Sequence, residues 1–506
     1  MTPVHSTTDW WRTATVYQVY PRSFSEGTLD GITSRLDYLQ WLGVDALWLS
    51  PIFLSPMADG GYDVSDYCAI DPRFGTLADF DKLLAAVHHR GMRLLLDWVP
   101  NHTSNQHPWF QESRRDRTNS KADWYVWRDA PANNWQASFP RGEPAWAYDD
   151  QRGQYYLRCF LKEQPDLNWD NPEVVAAMHD TLRFWLDRGV DGFRMDVVHL
   201  LGKDLTQDDP PVCQEKVWGH VPYNDHPKTH DHLRGIRSLL DEYSLRTGEA
   251  RVSVGEVYLL DEEAMTTYHG DDDELHLCFN FRFLWAPFDA AELRGRIARS
   301  IDVLRVRGAW PTWVLSNHDV PRHRQRYGGG ELGARMAAIM LLTLPGTPFM
   351  YQGEELGLVD AVVPTEQRID PGGRDGCRAP IPWDDVEAQR AETGSMLHFY
   401  RRLLHLRRST PALHAAGIGP DSFRLLDGSP GLLAWERCHS HDLERPETWF
   451  SYINPSDQSQ GDGAVMNGAT IVLCTDSSLE GTVVGTAVGT ALPAGVAWVA
   501  RRNGTM

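Results

Sequence analysis

The sequence has no CxxC pair, no long apolar run and no surplus of basic residues, and each absence narrows what the chain can be. Its seven cysteines, Cys68, Cys159, Cys213, Cys278, Cys377, Cys438 and Cys474, are odd in number and widely scattered. That usage argues against a disulfide framework or a zinc ribbon and fits a reducing compartment. The longest apolar run, Met336 to Leu344, stops at Pro345 and is far too short to span a bilayer. Met1 to Arg12 lacks the apolar core of a secretory signal, so a cytoplasmic chain without membrane association is expected. Lys plus Arg number 49 against 69 Asp plus Glu, a formal charge of −20. An excess of that sign repels phosphate backbones and anionic lipid. Nucleic acid and membrane surfaces are therefore poor partners, and a small neutral or cationic substrate is favoured.

What is present is the composition of a globular chain. With 506 residues, 42% of them hydrophobic, there is room for two to four domains or for one large α/β barrel with additions. Short β-like runs alternate with helical stretches from the start. Val16–Tyr20 precedes a helical pattern over Ser34–Trp41 that stops at Gly43, and Ala46–Leu49 follows at once. A helix over Leu77–His89 ends near Gly91 and leads into Arg93–Asp97. Glycine at helix ends and apolar runs between them mark parallel βαβ units. The rhythm breaks between about Asn101 and Asn168, a Trp-, Pro-, Asn- and Gly-rich stretch too long for a structureless loop. A small inserted subdomain over 101–169 is expected.

The alternation resumes with a helix opened by Asn171-Pro172 and closed by Gly189. Further strands are expected at Gly192–Met195, Val252–Glu256, Leu277–Phe279, Thr312–Leu315 and Pro348–Tyr351. With the first three they make eight, the count of a (β/α)8 TIM barrel, here an α/β fold over residues 1–100 and 170–419. Ser395–Arg408 is the last helix the periodicity supports. Beyond about Pro420 the sequence turns β-branched and Gly-punctuated, as in Ala469–Leu473 and Gly495–Arg501. Residues 420–506 therefore read as a C-terminal all-β sandwich domain.

Barrel active sites lie at the C-terminal ends of the strands. Those ends carry Asp97 and then Asn101-His102, Arg194-Met195-Asp196, Glu256, and Asn317-His318-Asp319. Any one strand-end acid is most simply a cap or a salt-bridge partner. Four of them from four strands, with an arginine and two histidines at one mouth, form a constellation that capping does not explain. Convergent carboxylates without phosphate loops or metal clusters suit glycoside chemistry, which needs a nucleophile and an acid/base around an oxocarbenium-like centre. The aromatics of the insert fit as well, since sugar rings stack on aromatic faces, although most could equally be core.

These residues sit in recognisable motifs. Asp97-Trp-Val-Pro-Asn-His102, Gly192-Phe-Arg-Met-Asp196, Gly255-Glu256-Val257 and Ser316-Asn-His-Asp319 resemble the four signature regions of the α-amylase superfamily, glycoside hydrolase family 13. Gln164-Pro-Asp-Leu-Asn168, Tyr17-Gln-Val-Tyr-Pro-Arg-Ser-Phe24, Gly61-Tyr-Asp-Val-Ser-Asp-Tyr67 and Arg374-Asp-Gly-Cys-Arg-Ala-Pro-Ile-Pro-Trp383 resemble its oligo-1,6-glucosidase and α-glucosidase branch. The resemblance runs from about Asp9 to the C-terminus. It implies an exo-acting retaining α-glucosidase that needs no cofactor. Asp196 would be the nucleophile with Arg194 keeping it ionised, Glu256 the acid and then the base, and Asp319 the transition-state stabiliser. His102 and His318 would hold sugar hydroxyls, and Tyr62 would stack on the first glucose. Asp63 and Arg378 would clamp the non-reducing end, and Phe139, Phe160 and Gln164 would line the pocket from the insert.

Two departures qualify the resemblance. The stretch after the first strand, Ser25–Gly31, is short and poor in the oxygen ligands by which relatives hold calcium or magnesium there, so no metal is expected. Val197 after the nucleophile goes with α-1,6 cleavage in part of the family, whereas His199, Lys203 and Asp204 look like a branch acting mainly on α-1,4 links. Other motifs carry less. His220, His226, His230 and His232 show no metal-ligand spacing and read as a solvated loop. Gly328-Gly-Gly330 lacks the lysine of a phosphate loop, and Ser316, beside His318 along one strand end, cannot form a serine triad. Three functions stay open: hydrolysis of short α-glucosides or sucrose, glucosyl transfer or sucrose isomerisation at the same site, and a non-catalytic ancillary role. The last is disfavoured by the complete carboxylate set.

Overall fold

The computed structural model describes residues 9–140, 142–206, 224–439, 447–461, 468–485 and 491–503. Eight parallel strands form one sheet: β1 Val16–Val19, β2 Ala46–Leu49, β3 Arg93–Trp98, β4 Gly192–Met195, β5 Val252–Gly255, β6 Leu277–Cys278, β7 Thr312–Val314 and β8 Thr347–Tyr351. Their spatial order is β6-β5-β4-β3-β2-β1-β8-β7. Sequence neighbours are thus spatial neighbours, as in a TIM barrel, and every expected strand is present.

Alternation along these strands explains where the polar groups emerge. Val16, Ala46, Leu95, Val252, Val254 and Phe349 share one inner apolar cluster, while Tyr17, Leu47, Leu94, Leu96 and Phe193 pack outward in the larger core beneath the helices and loops. Two residues further up the inner face the side chains become Gln18, Trp48, Asp97 and, across from Asp97, Arg194. An apolar floor thus gives way to a polar layer at the C-terminal mouth. Gly192 fits where β4 meets β5 because a Cβ there would lie 2.1 Å from the Val252 carbonyl oxygen.

The helices follow their sequence signals. α1, Leu77–His89, starts with a capping box between Thr76 and Asp79 and buries Phe80, Leu83, Leu84 and Val87 at three- and four-residue spacing. α2, Pro172–Asp187, is capped by Asn171 with proline at its first position. α3, Pro227–Thr247, and α4, Ala290–Arg307, end at Gly248 and Gly308, both in the left-handed conformation. The helix expected over Ser34–Trp41 is found at Leu36–Leu42, and a further short one, Leu29–Ser34, precedes it with Arg35 between them. After α5, Gly330–Thr343, and α6, Met396–Ser409, comes a one-turn helix, Pro411–His414. It opens on Pro411 and is only 4 residues long, too short for periodicity to reveal.

The insert is built around a three-stranded antiparallel sheet of Trp127–Arg128, Gln154–Leu157 and Trp146–Asp149. The C-terminal part is a five-stranded antiparallel sheet beginning at Phe423. It docks on the end of α5, where Arg437 and Trp435 donate to the Thr343 carbonyl at 3.1 and 3.3 Å and Ser451 donates to the Thr343 hydroxyl at 2.8 Å. Among the described residues no helix is long and apolar enough to cross a membrane.

Candidate active site

Arg194 organises the mouth of the barrel. One of its terminal nitrogens donates to Asp97 at 2.7 Å and to Asp196 at 2.8 Å, and the other to Glu256. The ends of β3, β4 and β5 are thereby tied to one guanidinium, which holds Asp196 and Glu256 side by side. Three carboxylates share one positive charge. Burial therefore prevails: it raises Asp97 to about 6 and Asp196 well above the usual carboxylate range, despite Arg194. Burial and the neighbouring acids thus outweigh Arg194, against the sequence-based expectation that it keeps Asp196 ionised. Val197, next in the chain, is held at φ +39°, a left-handed backbone that a β-branched residue adopts only under tertiary constraint.

Across the mouth lies Asp319, whose side chain, 30% exposed, is the most open of the four acids. Its Oδ1 accepts from Arg374 at 2.7 Å and Arg378 at 2.9 Å, and its Oδ2 lies 3.0 Å from His318 Nε2. Burial pushes its pKa up, but His318 and the two arginines outweigh this and hold it well below the normal range. His318 is fully buried and kept neutral by desolvation. Gln18 donates to its Nδ1 at 2.7 Å, so its Nε2 carries the proton toward Asp319 and the Tyr62 oxygen, 2.6 Å away. Tyr62 in turn donates to Asp97 at 3.0 Å and stacks on the His318 ring at 5.4 Å between centroids.

On the insert side, His102 and Gln164 are both buried, 3.0 Å apart, with Phe160 against the His102 ring. Burial lowers the His102 pKa to about 4, so it offers a neutral ring. Gln164 also donates to Asp59 Oδ2 at 3.2 Å. Phe139 underlies the guanidinium of Arg374 at 5.3 Å.

The structure does not bring Asp63 and Arg378 together. Asp63 is wholly buried and accepts from Ser55 and from the amides of Ala58 and Asp59 at 2.9–3.0 Å. It fastens its own loop. Arg378 donates to Asp319, Asp370 and the His318 carbonyl. The acid–arginine pair across the pocket is Asp59 with Arg374, at 2.7 Å. Both lie in or beside quoted motifs: Asp59 three residues before Tyr62, Arg374 four before Arg378. Spacing alone could not say which member of each set faces inward. The turn that carries Asp59 requires Gly60, at φ +62°, because a Cβ there would lie 2.9 Å from the Arg378 guanidinium. Asp59, Arg374 and Asp370 are thus pocket residues that the sequence alone did not single out.

The stretch Ser25–Gly31 runs into a helix whose first turn is capped by Thr28. Of the histidine cluster, His220 lies outside the described residues. His226 caps α3, His230 pairs with Glu274 at 2.8 Å and His232 packs on Trp169, three separate tasks.

Residues 18–416 match the alpha-amylase catalytic domain family. The chain belongs to the α-amylase family. Similar proteins include a probable alpha-glucosidase of Rhizobium meliloti (strain 1021), 38% identical and covering 89% of this chain and 90% of that one. An oligo-1,6-glucosidase of Parageobacillus thermoglucosidasius is 35% identical, covering 79% and 84%. Among solved structures, the alpha-glucosyl transfer enzyme XgtA superposes with a TM-score of 0.87 at 37% identity, covering 98% of this chain and 99% of its own. A variant of the trehalulose synthase MutB in complex with its substrate sucrose gives 0.86 at 30% identity, covering 98% and 99%. These likenesses set this α-amylase family member among the glycoside hydrolases of the α-glucosidase branch.

Proposed function

We propose that this α-amylase family protein is an exo-acting retaining α-glucosidase that releases terminal α-1,4- or α-1,6-linked glucose from short oligosaccharides. The observation that carries this is the pairing of Asp196 and Glu256 on the two ends of one guanidinium. Two carboxyls held by the two terminal nitrogens of one guanidinium stand close together, which suits a retaining pair, roughly 5–5.5 Å apart, better than an inverting pair, spread wider to admit a water. The proton that burial retains on Asp196 passes to Glu256, which gives an anionic nucleophile and a neutral acid. Asp196 then attacks the anomeric carbon as Glu256 protonates the departing oxygen, and a β-glucosyl ester forms. Glu256, now a carboxylate, takes a proton from water. The water oxygen attacks the anomeric carbon, the ester bond breaks and Asp196 is released. Asp319, held ionised, receives ring hydroxyls and offsets the positive charge of the transition state.

Exo action follows from the Asp59–Arg374 pair. Together with His102, Gln164 and Phe160 it closes the pocket beyond the first sugar, and Tyr62 provides a ring for that sugar to stack on. Neutral His102 and His318 suit a substrate without charge. No metal takes part in this scheme.

Transfer of the glucosyl group to a sugar instead of water is the second reading, favoured by the likeness to XgtA and to a trehalulose synthase. It differs only in what occupies the acceptor position after the ester forms. Product analysis on maltose, isomaltose and sucrose, with the anomer of released glucose followed by NMR, tests both. α-Glucose as first product from maltose supports hydrolysis with retention, and new disaccharides support transfer. β-Glucose as first product, or no turnover of any of the three, would overturn the proposal.

A further inference from the structure

Asp370 lies on the loop between β8 and the helix Trp383–Ala391, away from every strand end, and its side chain is only 4% exposed. The carboxylate accepts from Arg374 three times, from the backbone nitrogen at 2.8 Å, Nε at 2.9 Å and a terminal nitrogen at 2.7 Å. It also accepts from Arg378 at 3.0 Å. Among the described residues its side-chain bonds all end on these two arginines. The arginines, in turn, converge on Oδ1 of Asp319, and Arg374 alone reaches Asp59.

Guanidinium forks prefer to face one carboxylate with two parallel bonds. Left to itself, Arg374 would turn face-on to Asp319 or to Asp59 and abandon the other. Asp370 occupies the Nε edge bidentately, which fixes the guanidinium plane and leaves the remaining terminal N–H groups to reach the two pocket acids. The loop is built to hold Asp370 there. Asp375 accepts from the amides of Ile369 and Asp370 at 2.9 and 3.2 Å. At Gly372 a Cβ would press on Arg374 Nε, Asp370 Oδ2 and the Phe139 ring at 3.0–3.2 Å.

We propose that Asp370 is a positioning residue: by holding Arg374 and Arg378 it sets how Asp59 and Asp319 are presented to the terminal sugar, and hence how tightly that sugar is gripped. The proposal rests on the glucosidase reading above. In Asp370→Asn, the KM for maltose and the inhibition constant for glucose should both rise about 10- to 100-fold, and kcat should fall as well because Asp319 also stabilises the transition state. Asp370→Glu keeps the charge but shifts the fork, and should still raise KM several-fold. Because Asp370 acts through Arg374 as well as Arg378, Asp370→Asn should cost clearly less in the Arg374→Lys background than in the wild type. Multiplying losses, or a lowered Tm with KM and glucose inhibition unchanged, would overturn it. A crystal structure of Asp370→Asn provides the check that does not depend on substrate. Arg374 leaving Asp319 or Asp59 supports the proposal, and both contacts intact overturn it whatever the enzyme hydrolyses. Failure of the wild type to turn over any α-glucoside would instead strike the glucosidase reading, with the structural comparison still decisive here.

Discussion

Arg374→Ala is the sharpest test of how the pocket is closed. The wild-type guanidinium meets Asp59, Asp319 and Asp370 at 2.7 Å each. Its loss leaves Asp370 and Asp319 with Arg378, but among the described residues Asp59 keeps only the Gln164 amide as a side-chain donor, 3.2 Å away. Hydrogen bonds to charged groups contribute about 1.5–3 kcal/mol each, and two of the three lost acids face the sugar. A loss of about 2–4 kcal/mol of transition-state binding is expected, or about 30- to 1,000-fold in kcat/KM for maltose. Arg374→Lys restores charge but only as a point, and cannot bridge three carboxylates. It should recover less than about tenfold of the deficit. Asp63→Asn is the companion variant. Asp63 is bonded to its own loop, so this change should lower Tm while the folded enzyme keeps its KM. A loss below about fivefold in Arg374→Ala, together with a raised KM in Asp63→Asn, would refute the Asp59–Arg374 assignment and restore Asp63 as the pocket acid.

Asp196→Ala should lose at least about 10³-fold in kcat on every α-glucoside, and near-normal turnover of the folded variant would remove Asp196 as nucleophile. Glu256→Gln should lose less on an aryl α-glucoside, whose leaving group needs little protonation, than on maltose; equal losses would contradict its role as the acid. The pH profile follows from the raised carboxyls. An acid with a raised pKa binds its proton at higher pH, and burial holds Asp97 at about 6 with Asp196 displaced in the same direction, so kcat/KM should fall as pH drops through about 6. An acid limb at pH 4 or below would show that Arg194 ionises the pair more strongly than the geometry implies. Activity should survive exhaustive chelation, since paired carboxylates need no Lewis acid, and a loss restored by calcium would contradict this.

The sequence resolved what short-range periodicity and position determine. The eight strands were legible because their apolar runs are bounded by glycines and caps. The acids Asp97, Asp196, Glu256 and Asp319 were legible because a strand end points at the barrel mouth wherever the strand lies. Asp59, Asp370 and Arg374 sit on long excursions between elements, where neighbours in sequence can face opposite ways. Asp59 and Asp63 are four residues apart on one looped-out segment, yet Asp59 meets Arg374 across the pocket while Asp63 turns back onto the amides of its own loop. Only the positive φ angles of Gly60 and Gly61 separate their directions, and a sequence does not display φ. Protonation was misjudged for a related reason. Pairwise reading credits Asp196 with its neighbour Arg194, but the same guanidinium also serves Asp97 and Glu256 from other strands.

That sharing gives the pocket two halves made of the same residue types with opposite protonation. Around Arg194 there are three carboxylates for one guanidinium, Asp97 and Asp196 buried and Glu256 partly so, and the low-dielectric site keeps a proton among them, at the atoms where glycoside cleavage must move one. Around Asp319 there are two guanidiniums and a neutral histidine donor, with Asp59 and Asp370 drawing on the same arginines, and Asp319 stays ionised. The difference is one of charge: the number of guanidiniums that reach each carboxylate, one at Asp97 and two at Asp319, decides whether burial or pairing prevails. A surplus of acid makes the first half reactive. A surplus of donors fixes the second as a binding surface. The loop carrying Arg374 and Arg378 is therefore as much a part of the chemistry as the strand ends, because without it Asp319 would join the other carboxyls in competing for the proton.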